Sequence, residues 1–180
     1  MTRTVLRPAA CLGFTLALSL FAGAPPAGAE KPPDRSPGLK PLERLVGTWR
    51  EESVSRPAAW TPREERETQT VQSEWVLEGA YLQMKEKGKE SEAIQLITFD
   101  PDKKVFRRWR FTSGRTLTES TGRWDEKSGT WTWTADMGEG VTLRSTWRVV
   151  DANTMEGTAV ATDGAGKVYL DLRSKTTRVK

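Results

Sequence analysis

The sequence contains no histidine, and Cys11 is its only cysteine. A chain without an imidazole cannot form a Ser-His-Asp or Cys-His catalytic set, a haem site with a histidine ligand or a zinc site of the Cys/His type. Carboxylates remain for acid–base or metal chemistry, and their spacing selects neither a catalytic pair nor a metal site. We therefore predict no catalytic residue, no metal and no cofactor. An enzyme that works with carboxylates and arginine alone stays open as an alternative.

Long apolar runs are also missing, with one exception near the N-terminus. Residues 11–24 are uncharged and follow two arginines, and they are shorter than the about 20 residues that a membrane-spanning helix needs. Two prolines and the small residues Ala27-Gly28-Ala29 come next, as at the cleavage site of a secretory signal. The sequence therefore predicts a signal peptide over residues 1–29 and a mature chain that begins at Glu30, with an uncleaved membrane anchor as the alternative.

The charge of the chain is nearly balanced. The formal net charge of +4 falls by two when Arg3 and Arg7, the arginines of the predicted signal, are removed. Such a surface gives no argument for a nucleic-acid partner or an anionic membrane, and no transmembrane segment is expected after cleavage. We predict an exported protein, located in the periplasm or in the medium.

The predicted mature chain divides into a short tether and one domain. Residues 30–41 are rich in proline and charge and offer almost nothing to bury, so we predict a disordered tether there. A single barrel domain is expected over residues 42–180. It would open with one helical turn over residues 41–46, because Pro41 suits the first position of a helix.

Beyond Val46 the apolar residues recur with a period of two, which is typical of strands that bury one face. Turn sequences rich in Gly, Asp, Asn and Pro separate these runs about every ten residues. The pattern predicts an all-β fold, namely an antiparallel up-and-down β-barrel of about ten strands, closed because closure removes two exposed edges. The predicted strands are 46–54, 68–77, 80–86, 93–99, 104–112, 115–124, 129–135, 141–150, 154–161 and 167–177.

One connection in this pattern is longer than the others. Thr61 and Glu64 have the spacing of a capping box, and Pro62 suits the first helical position. We expect a short helix over residues 62–67 that lies over one mouth of the barrel. Trp60, just before it, would be either a plug in that mouth or an exposed anchor.

Three sequence elements resemble those of a known family. The first is Leu45-Val46-Gly47-Thr48-Trp49, the second runs from Trp75 to Leu82, and the third is the turn from Phe99 to Lys104. In this order, and with Arg178 near the C-terminus, they resemble a bacterial family of unknown function with a lipocalin-like, or calycin, barrel. The resemblance covers residues 42–178.

This resemblance implies a barrel and a small-ligand cavity, and it implies no reaction. It also implies a structural role for Trp49, which would plug the closed end of the barrel. There Trp49 would stack on an arginine late in the chain, either Arg173 or Arg178.

Tryptophan is the abundant aromatic residue, with eight in the chain. Large aromatic side chains on the inner face could fill a solid core, or they could line a cavity for an apolar or aromatic ligand. Small residues at the inward positions Gly157, Ala159 and Ala161 leave room for a cavity. The candidate ligand-binding residues are Trp75, Tyr81, Arg107, Trp109, Trp131, Trp133 and Trp147.

Arg107 is the sharpest single candidate among these. It shares strand parity with Val105, Trp109 and Phe111, which we expect to face inward, and a guanidinium inside a barrel must be paired. Three alternatives remain open for it: contact with an anionic ligand group, an internal ion pair with Glu119, or exposure to solvent.

Two functional hypotheses follow from the sequence. In the first, the exported barrel binds a small hydrophobic ligand in a Trp-lined cavity, with an anionic head group as one option. In the second, the barrel has a solid core and acts as a structural or protein-interaction module in the cell envelope. The sequence identifies no ligand for the first hypothesis and no partner for the second.

Overall fold

The structure is a computed structural model that describes residues 36–89 and 91–179. The predicted signal peptide, residues 1–29, lies outside the described residues. Within the described residues the chain forms one 3-10 helix, Pro37–Leu45, and ten strands. These are β1 Gly47–Ser55, β2 Glu65–Val76, β3 Tyr81–Lys87, β4 Glu92–Asp100, β5 Val105–Thr112, β6 Leu117–Asp125, β7 Thr130–Asp136, β8 Thr142–Asp151, β9 Thr154–Thr162 and β10 Val168–Arg178.

The ten strands form one closed antiparallel barrel in which each strand pairs with its neighbours in the chain. The barrel closes where β1 pairs with β10, from Trp49 opposite Arg178 to Ser55 opposite Leu172. This confirms the predicted fold class, and every strand lies within three residues of its predicted bounds. Among the described residues, no helix combines the length and the apolar character that crossing a membrane requires.

Aspartates at the ends of strands explain why the hairpin turns lie where the sequence predicts them. The Asp100 carboxylate accepts hydrogen bonds from the backbone N–H groups of Asp102 (3.1 Å) and Lys103 (3.0 Å). This Asx arrangement satisfies backbone donors that the ladder leaves free, and it favours a tight turn. Further aspartates accept backbone N–H bonds in the same way at other turns, namely Asp125, Asp136, Asp151 and Asp163.

The predicted helix over residues 62–67 is wrong. Residues 57–64 form an irregular loop, and β2 already begins at Glu65, opposite Ser55. One helical turn gains little by itself because helix nucleation is costly, whereas extending the ladder pairs backbone groups at once. The Thr61 hydroxyl donates to the Arg56 carbonyl oxygen (2.9 Å) and does not cap a helix.

Trp60 in this loop is an exposed side chain and no plug. It is 47% exposed, and its ring centroid lies 5.4 Å from that of Tyr169 in β10. The Trp60 backbone N–H also donates to the Tyr169 carbonyl oxygen (2.9 Å). The loop is thereby fastened to the start of the last strand.

The N-terminal helix begins earlier than predicted and reaches into the segment that we expected to be a disordered tether. It starts at Pro37 and ends at Leu45. Leu39, Leu42 and Leu45 are buried and join the hydrophobic core at one end of the barrel. Three leucines are enough to anchor the helix because each buried leucine contributes about 1.5–3 kcal/mol.

Trp49 and Arg178 lock this helix to the barrel. The indole N–H of Trp49, which is fully buried, donates to the Leu45 carbonyl oxygen (2.8 Å). The Arg178 guanidinium lies over the Trp49 ring at 4.0 Å from its centroid and donates to the carbonyl oxygens of Val46 (2.7 Å) and Ala152 (3.2 Å). The implied stacking of Trp49 on a late arginine is confirmed, with Arg178 as the partner.

We predict that Arg178→Ala lowers the free energy of unfolding by about 2–3 kcal/mol, because it removes a cation–π contact and several charge-assisted hydrogen bonds. Urea unfolding monitored by tryptophan fluorescence measures this loss. Arg173→Ala is the matched control, since Arg173 lies exposed on the outer face of the same strand, and it should change stability by less than about 0.5 kcal/mol. Equal effects of the two variants would contradict the proposed lock.

Candidate ligand-binding site

The half of the barrel interior beyond the helix is lined with polar side chains. Alternate residues of each strand face inward, and on several strands the inward residue at this level is charged or an amide. Most of these side chains are buried although they are polar. They are Glu51, Gln69, Glu86, Gln95, Arg108, Arg110, Ser120, Ser145 and Thr176.

Arg108 in β5 is buried to the same degree as Glu86, with 7% of the residue exposed. Its guanidinium carbon lies 4.6 Å from the ring centroid of Trp133 and 5.0 Å from that of Trp147. One terminal nitrogen, Nη2, donates to the hydroxyl oxygen of Ser120 (3.2 Å). Burial lowers the pKa of Arg108 to about 10, so the side chain is still a cation at neutral pH.

The backbone makes room for this arrangement at Gly122. Gly122 in β6 pairs with Trp133 in β7, and a Cβ at position 122 would collide with the Trp133 ring. Because glycine has no side chain, the indole can lie over the wall beside Arg108. A glycine in a strand interior often marks such a close approach.

Glu86 and Arg110 form a second inward group. Arg110 donates to Oε2 of Glu86 from Nε (3.1 Å) and from Nη2 (2.7 Å), and the Gln95 amide donates to Oε1 of the same carboxylate. The Glu86 side chain is 6% exposed, whereas that of Arg110 is 39% exposed. An inward arginine that remains this exposed indicates that solvent reaches the interior at this end of the barrel.

Glu51 in β1 is the third inward charged group. Its carboxylate accepts hydrogen bonds from Gln69 (2.9 Å) and Thr176 (3.2 Å), which lie on the two neighbouring strands. Burial, reinforced by the negative charge of Glu86, raises the pKa of Glu51 above its ordinary value of 4.5. Within the described residues, no lysine or arginine forms an ion pair with Glu51.

Across the barrel from Arg108, the strands β1, β9 and β10 also carry small side chains at inward positions. The inward positions Ser53, Ala159 and Ser174 are only half-buried although they face the interior, which again indicates an open end. Several enclosed polar atoms have no hydrogen-bond partner among the described residues, and such atoms in native proteins usually meet water or a ligand. They are Ser73 Oγ, Gln95 Oε1, Arg108 Nε, Trp131 Nε1, Trp133 Nε1 and Ser145 Oγ.

Of the candidate residues from the sequence, four tryptophans lie on the inner face. Trp133 and Trp147 flank Arg108. Trp131 packs against Trp124 (ring centroids 4.1 Å apart), and Trp75 packs against the core at the helix end. The structure therefore brings only Trp133 and Trp147 to the polar half of the interior.

Arg107, Trp109 and Tyr81 lie on the outer face, so the predicted orientation of β5 is wrong. The Arg107 side chain pairs with Glu119 and lies over Trp109 at 4.9 Å from its ring centroid. The ion pair that we considered does form, but on the outside. The Tyr81 and Trp109 ring centroids are 6.4 Å apart on the same surface.

The orientation error has a physical cause. The more apolar face of β5, with Val105, Trp109 and Phe111, lies outside, whereas the inner face carries two arginines beside Phe106. Phe106 is buried inside, whereas Phe111 is exposed outside. Phe111 pairs with Ile94 of β4 and Leu117 of β6, both of which are also exposed. Hydrophobic alternation therefore does not identify the inner face of this strand.

Five inward polar residues of the candidate site escaped the sequence analysis, and a signal existed for Glu86. Leu82, Met84 and Glu86 alternate on β3 and are all buried, so period-two counting from Leu82 places Glu86 inside. The others are Glu51, Gln95, Arg108 and Arg110.

A comparison with known protein families assigns the chain to one of them. The family described as "Protein of unknown function (DUF1579)" matches residues 38–178. The chain belongs to this family. No curated protein matches the chain. The family assignment confirms the suspected resemblance and supplies no reaction.

Solved structures show the same fold at low sequence identity. The chain is similar to Rv2717c from M. tuberculosis, with TM-score 0.62, 11% identity, and coverage of 82% of this chain and 100% of that chain. It is also similar to the S-type phycobiliprotein lyase CPES from Guillardia theta, with TM-score 0.52, 13% identity, and coverage of 77% and 90%. Such neighbours are calycin-like barrels.

A third neighbour is a protein of unknown function from the DUF3598 family of Nostoc punctiforme. It has TM-score 0.53 and 11% identity, and the match covers 77% of this chain. The match spans about half of that neighbour, 49%. Identities at this level show the fold alone, and the fold is the calycin-like barrel.

We predict that Glu51→Gln removes a loss of stability that the wild-type protein shows as pH rises. Because the folded state raises the pKa of Glu51, it holds this proton more tightly than the unfolded state does. The wild-type free energy of unfolding should therefore fall, relative to that of the variant, as pH rises from about 4.5 through the raised pKa.

Urea unfolding of both proteins across this pH range measures the difference. Glu52→Gln is the matched control because it removes an exposed carboxylate from the outer face of the same strand. A difference between wild type and Glu51→Gln that stays constant with pH would contradict the prediction.

Proposed function

We propose that the protein binds a small amphipathic molecule with an anionic group in the polar half of the barrel interior. The observation that carries this proposal is Arg108, a buried cation held between Trp133 and Trp147. Within the described residues, no carboxylate forms an ion pair with it. The calycin-like fold is consistent with small-ligand binding.

The neighbouring arginines both form ion pairs, which makes a buried arginine without one unusual. Arg107 pairs with Glu119 and Arg110 pairs with Glu86, although both arginines are more exposed than Arg108. Burying a charge costs several kcal/mol unless it is paired. Two indole faces recover part of that cost, about 2 kcal/mol or more for each desolvated cation–π contact.

An anionic ligand group would complete this site. The Arg108 Nε–H has no hydrogen-bond partner in the described part of the chain, and a guanidinium offers its donors in a fork that matches a carboxylate or phosphate. The Trp133 and Trp147 rings would contact the apolar part of the ligand. The anion-binding role that we first considered for Arg107 therefore passes to Arg108.

The export of the protein is part of this proposal. Support comes from the sequence of residues 1–29, with its arginines, apolar run and small residues. When the full chain is expressed in a bacterial host, we predict that the intact mass of the exported product corresponds to a chain beginning at Glu30. A product that retains residues 1–29 and stays with the membrane fraction would favour the uncleaved anchor.

We predict that Arg108→Gln weakens the binding of anionic ligands more than that of their neutral analogues. The probes are hexanoate, octanoate and dodecanoate, with the alcohols of the same lengths, and the measurement is isothermal titration calorimetry. Carboxylate affinity should fall about tenfold or more, because a hydrogen-bonded charge contact contributes about 1.5–3 kcal/mol. Alcohol affinity should change by much less.

Arg107→Gln is the matched control, since it removes the neighbouring guanidinium from the outer face and should leave both affinities unchanged. An equal loss for carboxylates and alcohols in Arg108→Gln would contradict the role of Arg108. If no carboxylate binds the wild type, the proposed function fails and the solid barrel that acts through its surface is favoured.

A further inference from the structure

Two of the enclosed charged side chains, Glu51 and Arg108, do not form an ion pair with each other. Arg108 and Glu51 form no ion pair with a described residue, while Glu86 and Arg110 pair with each other. At longer range the Glu86 charge acts on Arg108 and the Arg110 charge acts on Glu51. Opposite charges buried in one interior attract strongly in a low dielectric, and pairing them would lower their joint cost. The fold keeps them apart.

Their separation follows from the order of the strands. Glu51 lies on β1 and Arg108 on β5, with three strands between them along the shorter way around the wall. Each side chain is held at its own position by hydrogen bonds to neighbouring strands, Glu51 by Gln69 and Thr176. The two charges therefore belong to parts of the inner wall that are three strands apart.

We propose that the ligand is zwitterionic, with an anionic group at Arg108 and an amine at Glu51, joined by an apolar body. This inference rests on the proposed function and specifies its ligand class. The apolar body would contact the Trp133 and Trp147 rings and the inward side chains Val71 and Met84, which are buried on β2 and β3.

Charge balance supports a zwitterion over a simple anion. Among the described residues, the enclosed charged groups of this half, Glu51, Glu86, Arg108 and Arg110, sum to zero when all are ionised. Glu65 and Glu67, on the same face of β2 as Gln69, are exposed to solvent at the open end. A simple anion would leave the interior with an excess negative charge near Glu51 and Glu86, and like charges in an enclosed site repel. A ligand with both charges keeps the interior neutral and gives each unpaired group its partner.

The test compares three series of straight-chain ligands on the wild-type protein by isothermal titration calorimetry. The series are hexanoate, octanoate and dodecanoate, their ω-amino derivatives and their ω-hydroxy derivatives. We expect that, for at least one chain length, the ω-amino carboxylate binds about tenfold tighter than the plain carboxylate, as expected for a charge-assisted contact. The ω-hydroxy derivative should not reach this affinity, and the preferred length reports the distance between the two groups.

Glu51→Gln should abolish the advantage of the amine and leave the plain carboxylate bound at least as tightly as in the wild type. Glu52→Gln, the matched control on the outer face, should change neither affinity. An amine advantage that is absent at every length, persists in Glu51→Gln, or is matched by the hydroxyl would overturn the inference.

These outcomes separate the two proposals. Plain carboxylates that bind through Arg108 without any benefit from an amine would leave the proposed function standing and refute the zwitterion. Failure of every carboxylate and every ω-amino carboxylate to bind would refute the proposed function itself. The wild-type comparison needs no variant and is therefore independent of how well Glu51→Gln folds.

Discussion

The pairing of β1 with β10 is the constraint on which the rest of the molecule depends. Each other ladder joins strands that are neighbours in the chain, so only this one turns a meander into a closed wall. Arg178 reinforces it at the end of β10 by reaching across to the Val46 carbonyl oxygen and the Trp49 ring. Closure gives the barrel an interior, and charged side chains can be kept away from bulk water only in such an interior.

Closure also divides the interior along its length. At the helix end, Trp49, Trp131 and Phe106 are buried with the leucines of the 3-10 helix, and this end has the composition of an ordinary core. At the other end, inward serines, alanines and glycine face a charged wall. The packed end supplies apolar burial of about 25 cal/mol per Å², which offsets the cost of keeping charges inside the other end.

The strands could be predicted from the sequence because their determinants are local. Period-two alternation and aspartate-led turns act within a few residues of one another, as at Asp100. The helix over residues 62–67 failed because a non-local ladder, Ser55 opposite Glu65, outweighed a local capping pattern. The orientation of β5 failed for a related reason: its more apolar face lies outside and its inner face carries Arg108 and Arg110, so only the strands beside it determine which face is enclosed.

The functional residues were harder to predict than the fold because they break the rule used to find the fold. A count of apolar residues assigns charged positions to the outer face. It therefore predicts that Arg108 and Glu51 are exposed, whereas both lie in the barrel interior. Two tryptophans from other strands enclose Arg108: Trp133 of β7 and Trp147 of β8. The pattern of a single sequence does not show that these side chains are in contact.

Buried charges that lack partners oppose folding, whereas the same charges favour a ligand that supplies the partners. The desolvation cost of Arg108 and Glu51 is already met in the folded protein, so a ligand recovers their interaction energy without removing water from them a second time. Mutual pairing would have relieved the cost in the free protein and left nothing for a ligand to gain. Under the proposed function, holding the two charges on separate strands of a closed wall sacrifices stability in the free state, and the proposed zwitterionic ligand would recover it.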